Sequence, residues 1–295
     1  MNEFIINTLS LGSLYALIAL GLVFVYGILK LVNFAYGEYI MTAGYGLFLL
    51  GTYTPLPWWS VMLLSVALAA LMSYLTELIA FRPVRTKSLT AMLVTSFAVS
   101  VLLQNAALLF ISPRSRAVQL PAAFNQSVAL LGVTTPLRNL LTIGTTVALL
   151  VGLTLLMKYT VLGIAMRAAS DKFSTTRLMG VPANLVISVA FIISGLLAGV
   201  VSVFWVGRSA SVDPLIGFTP LLIAFIATVI GGMRSLVGAV AGGYVYGLLF
   251  NVLSITLPAS VINYRDAFMF LIVILFLLLR PEGLIRGSYT EERVG

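Results

Sequence analysis

The sequence contains no cysteine and no histidine. Without cysteine there is no disulfide framework, thiolate nucleophile or thiolate metal site. Without histidine the usual proton shuttle and the commonest transition-metal ligand are missing. Charge is scarce as well. Only 9% of the 295 residues are Asp, Glu, Lys or Arg, against about 25% in a soluble domain, so most of the folded surface cannot face water. A soluble enzyme and a disordered chain are both excluded. What is present is apolar: 60% of residues belong to the set AVILMFWYC, and mean hydropathy is +1.10. Seventeen Lys and Arg against nine Asp and Glu give a net charge of +8. These charges lie in short clusters between apolar runs rather than along one basic face, which argues against a nucleic-acid partner.

A membrane-crossing helix needs about 20 mostly apolar residues to span a hydrocarbon core of about 30 Å. Cut at its charges and prolines, the sequence yields such runs near 5–29, 32–54, 58–80, 89–111, 138–157, 184–206, 215–231, 238–258 and 262–279. They predict an all-α, polytopic integral membrane helix bundle occupying one domain, 1–295. Nine crossings are expected, or eight if one of the short or glycine-rich second, seventh and eighth runs is re-entrant. The first run has only Glu3 and no basic residue ahead of its apolar core, so it reads as a retained span rather than a cleavable signal.

Lys and Arg collect on the cytoplasmic side of membrane proteins. With the N-terminus outside, Lys30, Arg82, Arg85, Lys87, Lys158, Arg167, Lys172, Arg177, Arg234, Arg280, Arg286 and Arg293 fall on one side, and Arg114, Arg116, Arg138, Arg208 and Arg265 on the other. This asymmetry predicts a cytoplasmic C-terminus. It makes 112–137 an external loop, expected to be irregular because of Pro113, Pro121 and Pro136, and 159–183 the longest cytoplasmic loop. The stretch from Leu162 to Gly180 is rich in helix formers, with Ser170, Asp171 and Ser174 available as caps and Pro182 beyond the terminal glycine. One or two short helices along the membrane surface are expected there. They serve either as a connector whose Arg and Lys touch lipid phosphates, or as a docking element whose Phe173, Leu178 and Met179 are buried by a partner.

Within the bilayer, helices associate by close backbone approach at small residues. Gly195 with Gly199, Gly238 with Gly242, and Gly243 with Gly247 each form a G-x-x-x-G packing pair. Polar residues inside spans cost more. If the second span enters near Leu31, Glu38 lies about 11 Å in, at about 1.5 Å per residue. A charge near the bilayer centre costs about 2.5–3.5 kcal/mol, so Glu38 faces protein, an aqueous cavity or a cation, either holding helices together or lining a pathway. Gln104 and Asn105 in the fourth run, and Asn251 with Ser254 in the eighth, are milder cases, expected to bond a neighbouring backbone. Glu77, near Arg82, reads as a snorkelling residue at the membrane edge.

Several segments together carry a family resemblance. Y-G-I-L-K-L-V-N-F-A-Y-G-E (26–38), R-P-V-R (82–85), L-L-Q-N (102–105), G-I-A-M-R-A-A-S-D (163–171), R-L-M-G (177–180), I-G-G-M-R-S-L-V-G-A-V-A-G-G (230–243) and L-R-P-E-G-L (279–284) resemble, in order, the permease subunits of branched-chain amino acid ABC importers. The pattern is similar to the LivH-type subunit, which pairs with a second, LivM-type permease. The resemblance implies a multi-pass protein of the bacterial inner membrane that binds no cofactor itself. Its partners would be a second permease, two ATPases carrying ATP and Mg, an external amino-acid-binding protein and the surrounding lipid. It also implies that Arg167, Asp171, Lys172, Phe173, Arg177 and Gly180 belong to the loop that couples to the ATPase; Asn33, Tyr36, Glu38, Gln104, Asn105 and Asn251 are candidate pathway or core polar residues by their place within the apolar runs. The sequence departs from the family pattern in two places. Ser174, Thr175 and Thr176 stand where coupling loops carry E-A-A, and Tyr36 stands where relatives often carry His.

The chain contains no G-x-x-x-x-G-K-[ST], so it has no phosphate-cradling loop of that kind. Energy must come from another subunit or from an ion gradient. An ion-coupled secondary transporter is the alternative class; such proteins show inverted repeats and buried acids, and here Glu38 is the one acid well inside a run. An intramembrane enzyme is disfavoured, since neither H-E-x-x-H nor G-x-S-x-G occurs.

Overall fold

The computed structural model describes residues 2–85, 87–121, 124, 126–130, 133–171, 182–233, 235–280 and 283–285. They form helices α1 (Asn2–Leu29), α2 (Tyr36–Tyr53), α3 (Trp58–Thr76), α4 (Leu89–Phe110), α5 (Leu137–Tyr159), α6 (Val161–Asp171), α7 (Ala183–Ser209), α8 (Phe218–Gly231), α9 (Leu236–Thr256) and α10 (Arg265–Leu279). Helix α3 runs on through a π-helical turn, Glu77–Phe81, into Arg82–Val84.

Every expected run contains a helix, and by length and composition not all nine reach the requirements of a full crossing. Among the described residues seven helices are long and apolar enough to cross a membrane, α10 being counted together with the 3-10 turn Ile262–Tyr264 that precedes it. The other two, α2 and α8, differ for separate reasons. Helix α2 carries Glu38, four tyrosines and four glycines in 18 residues, which dilutes its hydropathy. Helix α8 has only 14 residues, about 21 Å at 1.5 Å per residue, short of the roughly 30 Å core.

The long helices alternate in direction. One end of the bundle holds Lys30, Arg82, Arg85, Lys87, Lys158, Arg167 and Arg280, and the opposite end holds Arg114, Arg116, Arg138, Arg208 and Arg265. Burial sorts the helices into centre and rim. The apolar window of α1 is 83% buried and that of α7 78%, whereas those of α4 and α5 are 17% buried. Helices α1, α7, α9, α8 and α2 therefore make the core, and α4, α5 and α10 turn broad apolar faces outward.

The loop 112–137, expected to be irregular, contains a small hairpin. Strands β2 (Ser127–Leu130) and β3 (Val133–Pro136) pair antiparallel, with Val128 opposite Thr135. Pro136 closes the second strand, where a missing N–H costs nothing. Strand β1 (Arg116–Ala117) pairs instead with β4 (Ser211–Val212), Arg116 opposite Val212, tying this loop to the segment that precedes α8. At the basic end the described tail also docks. Leu284 N donates to the carbonyl of Ile230 at 2.8 Å and Ile285 N to that of Gly231 at 3.1 Å, satisfying carbonyls at the C-terminus of α8.

Glycine pairs bring the helices together. A Cβ on Gly195 would lie 2.7 Å from Ala70 Cα, and one on Gly199 2.7 Å from Val66 Cα, so both lie on the backbone of α3. Gly238 and Gly242 face Gly231 and Ala227 of α8, while Gly243 and Gly247 face Ala16 and Gly12 of α1. Asn251 Nδ2 adds a polar clasp to the same α1–α9 contact, donating to Thr8 Oγ1 at 2.6 Å and the Phe4 carbonyl at 3.3 Å.

Candidate functional site

Helix α2 starts at Tyr36, four residues later than its apolar run suggests. Residues 31–35 are not helical although Leu31, Asn33 and Ala35 are buried. Irregular backbone at membrane depth is tolerated only inside protein, where its polar groups find partners. Asn33 supplies them: its Oδ1 accepts from Ala35 N at 3.0 Å and its Nδ2 donates to the Tyr39 hydroxyl at 3.2 Å. This Asx turn reverses the chain and launches α2 from within the bundle.

Helix α8 starts in a parallel manner. Asp213 Oδ1 accepts from Leu215 N at 2.9 Å, and the helix begins at Phe218. Because α8 ends at the basic end and is only about 21 Å long, it begins partway along the bundle, with Phe218 and Thr219 exposed and Pro220 and Leu221 buried. The two starts meet. A Cβ on Gly37 would sit 2.5 Å from the Gly217 carbonyl oxygen, and one on Gly217 would overlap the Gly37 carbonyl. Two antiparallel half-helices thus place their N-termini side by side, with Tyr36 fully buried against Gly21 of α1.

Glu38, in the first turn of α2, faces α4. Its Oε1 accepts from Ser100 Oγ and from Gln104 Nε2, both at 2.8 Å, and Gln104 also reaches Ser100 Oγ at 3.3 Å. The other oxygen, Oε2, is buried and has no hydrogen-bond partner among the described residues. A buried acceptor without a partner is costly, so packing alone explains half of this carboxylate. Gln104 bonds Glu38 rather than a neighbouring backbone. Asn105 turns outward and donates to its own helix at the Val101 carbonyl, 2.8 Å away. Of the six polar positions singled out in the sequence, the structure brings together Glu38 with Gln104, and Asn33 with the start of α2. Asn105 and Asn251 lie apart from them. Replacing Glu38 by Ala leaves Ser100 and Gln104 without their common acceptor, which is expected to cost about 1–3 kcal/mol. Thermal unfolding of the detergent-purified protein measures it, and an unchanged midpoint would contradict the clamp.

Glu77 does not snorkel. It is fully buried in the π-helical turn. Its Oε2 accepts from Ser188 Oγ at 2.8 Å and lies 3.3 Å from Arg82 Nη2, while Oε1 lies 3.3 Å from Arg85 Nη1. Arg85 Nη2 also donates to Asn184 Oδ1. The acid therefore anchors the end of α3 to the start of α7 at the basic end. A second polar knot, unremarked in the sequence, closes the opposite end: Arg208 Nη2 donates to Ser10 Oγ at 2.8 Å, and Ser10 donates to Asn139 Oδ1 at 3.1 Å. Its only sequence signal is a scatter of polar residues near helix ends.

Of the residues assigned to coupling, Arg167 is exposed on α6 and Asp171 ends that helix. Lys172, Phe173, Arg177 and Gly180 lie outside the described residues. Among the described residues no three His, Cys, Asp or Glu side chains converge where they could hold a metal.

A polytopic helix bundle with short inner helices and a buried carboxylate is an architecture suited to membrane transport. The chain belongs to the family described as the permease component of branched-chain amino acid transport systems, whose model matches residues 4–277. It is 32% identical over 302 residues to the high-affinity branched-chain amino acid transport system permease protein BraD of Pseudomonas aeruginosa, covering 98% of this chain and 96% of that one. It is also 32% identical over 303 residues to LivH of Escherichia coli K12, covering 97% of this chain and 96% of the relative. A probable branched-chain amino acid permease protein LivH of Methanocaldococcus jannaschii is 29% identical over 288 residues, 92% of this chain and 89% of its own.

Proposed function

We propose that this chain is the membrane-spanning subunit of an ATP-driven importer that carries branched-chain amino acids across the bacterial inner membrane. The observation that carries the reading is a family match spanning almost the whole bundle, residues 4–277, with no phosphate-binding loop in the sequence to supply energy from within. The basic end is cytoplasmic, as is the C-terminus, because positive charge is retained on that side. Two separate ATPase subunits holding ATP and Mg dock at the loop containing α6 and residues Lys172 to Gly180. A second permease, of the LivM type, completes the pathway, and an external binding protein delivers the amino acid.

Motion follows from the same parts. Closure of the ATPase pair displaces the 163–180 loop, and the glycine-packed helices exchange between outward- and inward-open arrangements. A cargo that binds those arrangements differently shifts their populations. The Glu38 oxygen without a partner is the one observation favouring the alternative, a secondary transporter coupled to protons or cations.

Uptake of labelled leucine into proteoliposomes separates the two. The importer requires the binding protein outside and ATP inside, and uptake falls to background when either is omitted. Accumulation by the isolated chain under a pH or sodium gradient would overturn the importer reading.

A further inference from the structure

At the basic end the terminal turns of α1 and α5, helix α6 and the first turn of α9 line a half-open cavity of about 480 Å³. Its walls are largely apolar, with Phe24, Met157 and Leu236 among them, and three cations stand around it: Lys30, Lys158 and Arg167. Lys30 holds a left-handed conformation, φ 55°, just past the end of α1, and Lys158 reaches over the Tyr159 ring, 5.3 Å from its centroid. Neither lysine has an acidic partner among the described residues. Among the described residues no Asp or Glu lines the cavity.

We propose that this cavity is a binding site for an anionic phospholipid, its phosphate between Lys30, Lys158 and Arg167 and its glycerol and upper acyl carbons against the apolar wall. Three features decide the ligand class. A zwitterionic amino acid would leave its ammonium without a counter-charge, so the transported cargo does not fit. A free phosphate would leave the apolar wall empty. The cavity lies where α1 and α5 end, at headgroup level, and basic pockets between helix ends at that level suit acidic headgroups. One wall is α6, so a bound lipid braces that helix against the bundle. This inference does not depend on which solute is carried.

Native mass spectrometry of the full chain, alone and assembled with its partner subunits, tests it in mixed micelles of phosphatidylglycerol and phosphatidylcholine with matched acyl chains. Retention of phosphatidylglycerol is expected to exceed that of phosphatidylcholine by about tenfold, from two or more close lysine contacts. Lys30→Gln with Lys158→Gln removes the preference. Lys30→Arg with Lys158→Arg keeps it, and so does Lys87→Gln elsewhere on the same end. Thr154→Trp, which fills the cavity without altering its charge, lowers retention as well and covers the case in which the double glutamine variant fails to fold. Equal retention of the two lipids, retention unaffected by either the glutamine or the tryptophan change, displacement by millimolar inorganic phosphate, or loss of the lipid on assembly with the partners would each overturn the site.

Discussion

Substituting Gly217 by valine is expected to collapse folded yield and uptake together, while Gly152→Ala changes neither. The starts of α2 and α8 approach backbone to backbone. A Cβ at Gly217 overlaps the carbonyl of Gly37, and one at Gly37 comes within 2.5 Å of the carbonyl of Gly217. The obstructing atoms belong to main chain, which cannot rotate aside as a side chain would. Overpacking of this sort costs about 1–3 kcal/mol or more, and the valine adds two methyl groups to the clash. A loss of about 3 kcal/mol lowers the folded-to-unfolded ratio of a marginally stable protein roughly a hundredfold, which removes most of its margin. At Gly152 a Cβ meets nothing within 4 Å, which makes it the matched control. Fluorescence-detected size exclusion of tagged variants reads folded yield, and Gly37→Ala is expected to fall between the two. Wild-type behaviour of Gly217→Val would mean that the half-helices do not abut.

Glu77→Ala is expected to be the most destabilising single change at a charged position. The carboxylate is fully buried and lies against two guanidinium groups. Removing one member of a buried ionic cluster leaves the others uncompensated, at a cost of about 3–5 kcal/mol. The Arg85 contact accounts for most of this, because the Arg85 side chain is 14% exposed and that of Arg82 33%, and solvent screens the more exposed pair. Glu77→Gln keeps an acceptor for Ser188 and is expected to lose less. Ser188→Ala removes one hydrogen bond, about 1 kcal/mol. Thermal unfolding in detergent should rank the three variants in that order, Ala at 77 worst. A Glu77→Ala protein as stable as wild type would show the cluster to be inert.

The long helices are legible in the sequence because crossing a bilayer imposes a length and a hydropathy that few other constraints mimic. The depth at which α2 and α8 begin is not. Leu31, Ala35 and Ile216 are apolar and buried yet non-helical, so the apolar runs extend past the helices and hide the turns. Asn33 and Asp213 are the residues that mark those turns, and each reads only as an isolated polar residue until its backbone partner is known. Glu77 misled for a related reason. Its neighbour five residues on, Arg82, suggested an edge position, while Ser188, 111 residues away, shows where it is held. Likewise Glu38 and Gln104 were each conspicuous alone, and only the fold places them in one hydrogen-bonded group across 66 residues. The strands within 112–137 escaped notice because prolines dominated the reading and neither Ser127–Leu130 nor Val133–Pro136 alternates apolar with polar residues. Coupling residues 172–180 lie outside what the structure describes, so their reading rests on sequence.

The meeting of two incomplete helices also dictates how this polypeptide must be made. The translocon releases segments sideways according to their own greasiness, and α2, with its tyrosines, glycines and one acid, does not meet the hydropathy of the seven long spans. It emerges from the ribosome directly after α1 but about 180 residues before α8, the element that closes over its first turn. Biogenesis is therefore a waiting game: the second helix has to be sheltered, by its elder neighbour or by a chaperone of the membrane, until the far half of the chain arrives to seal it in.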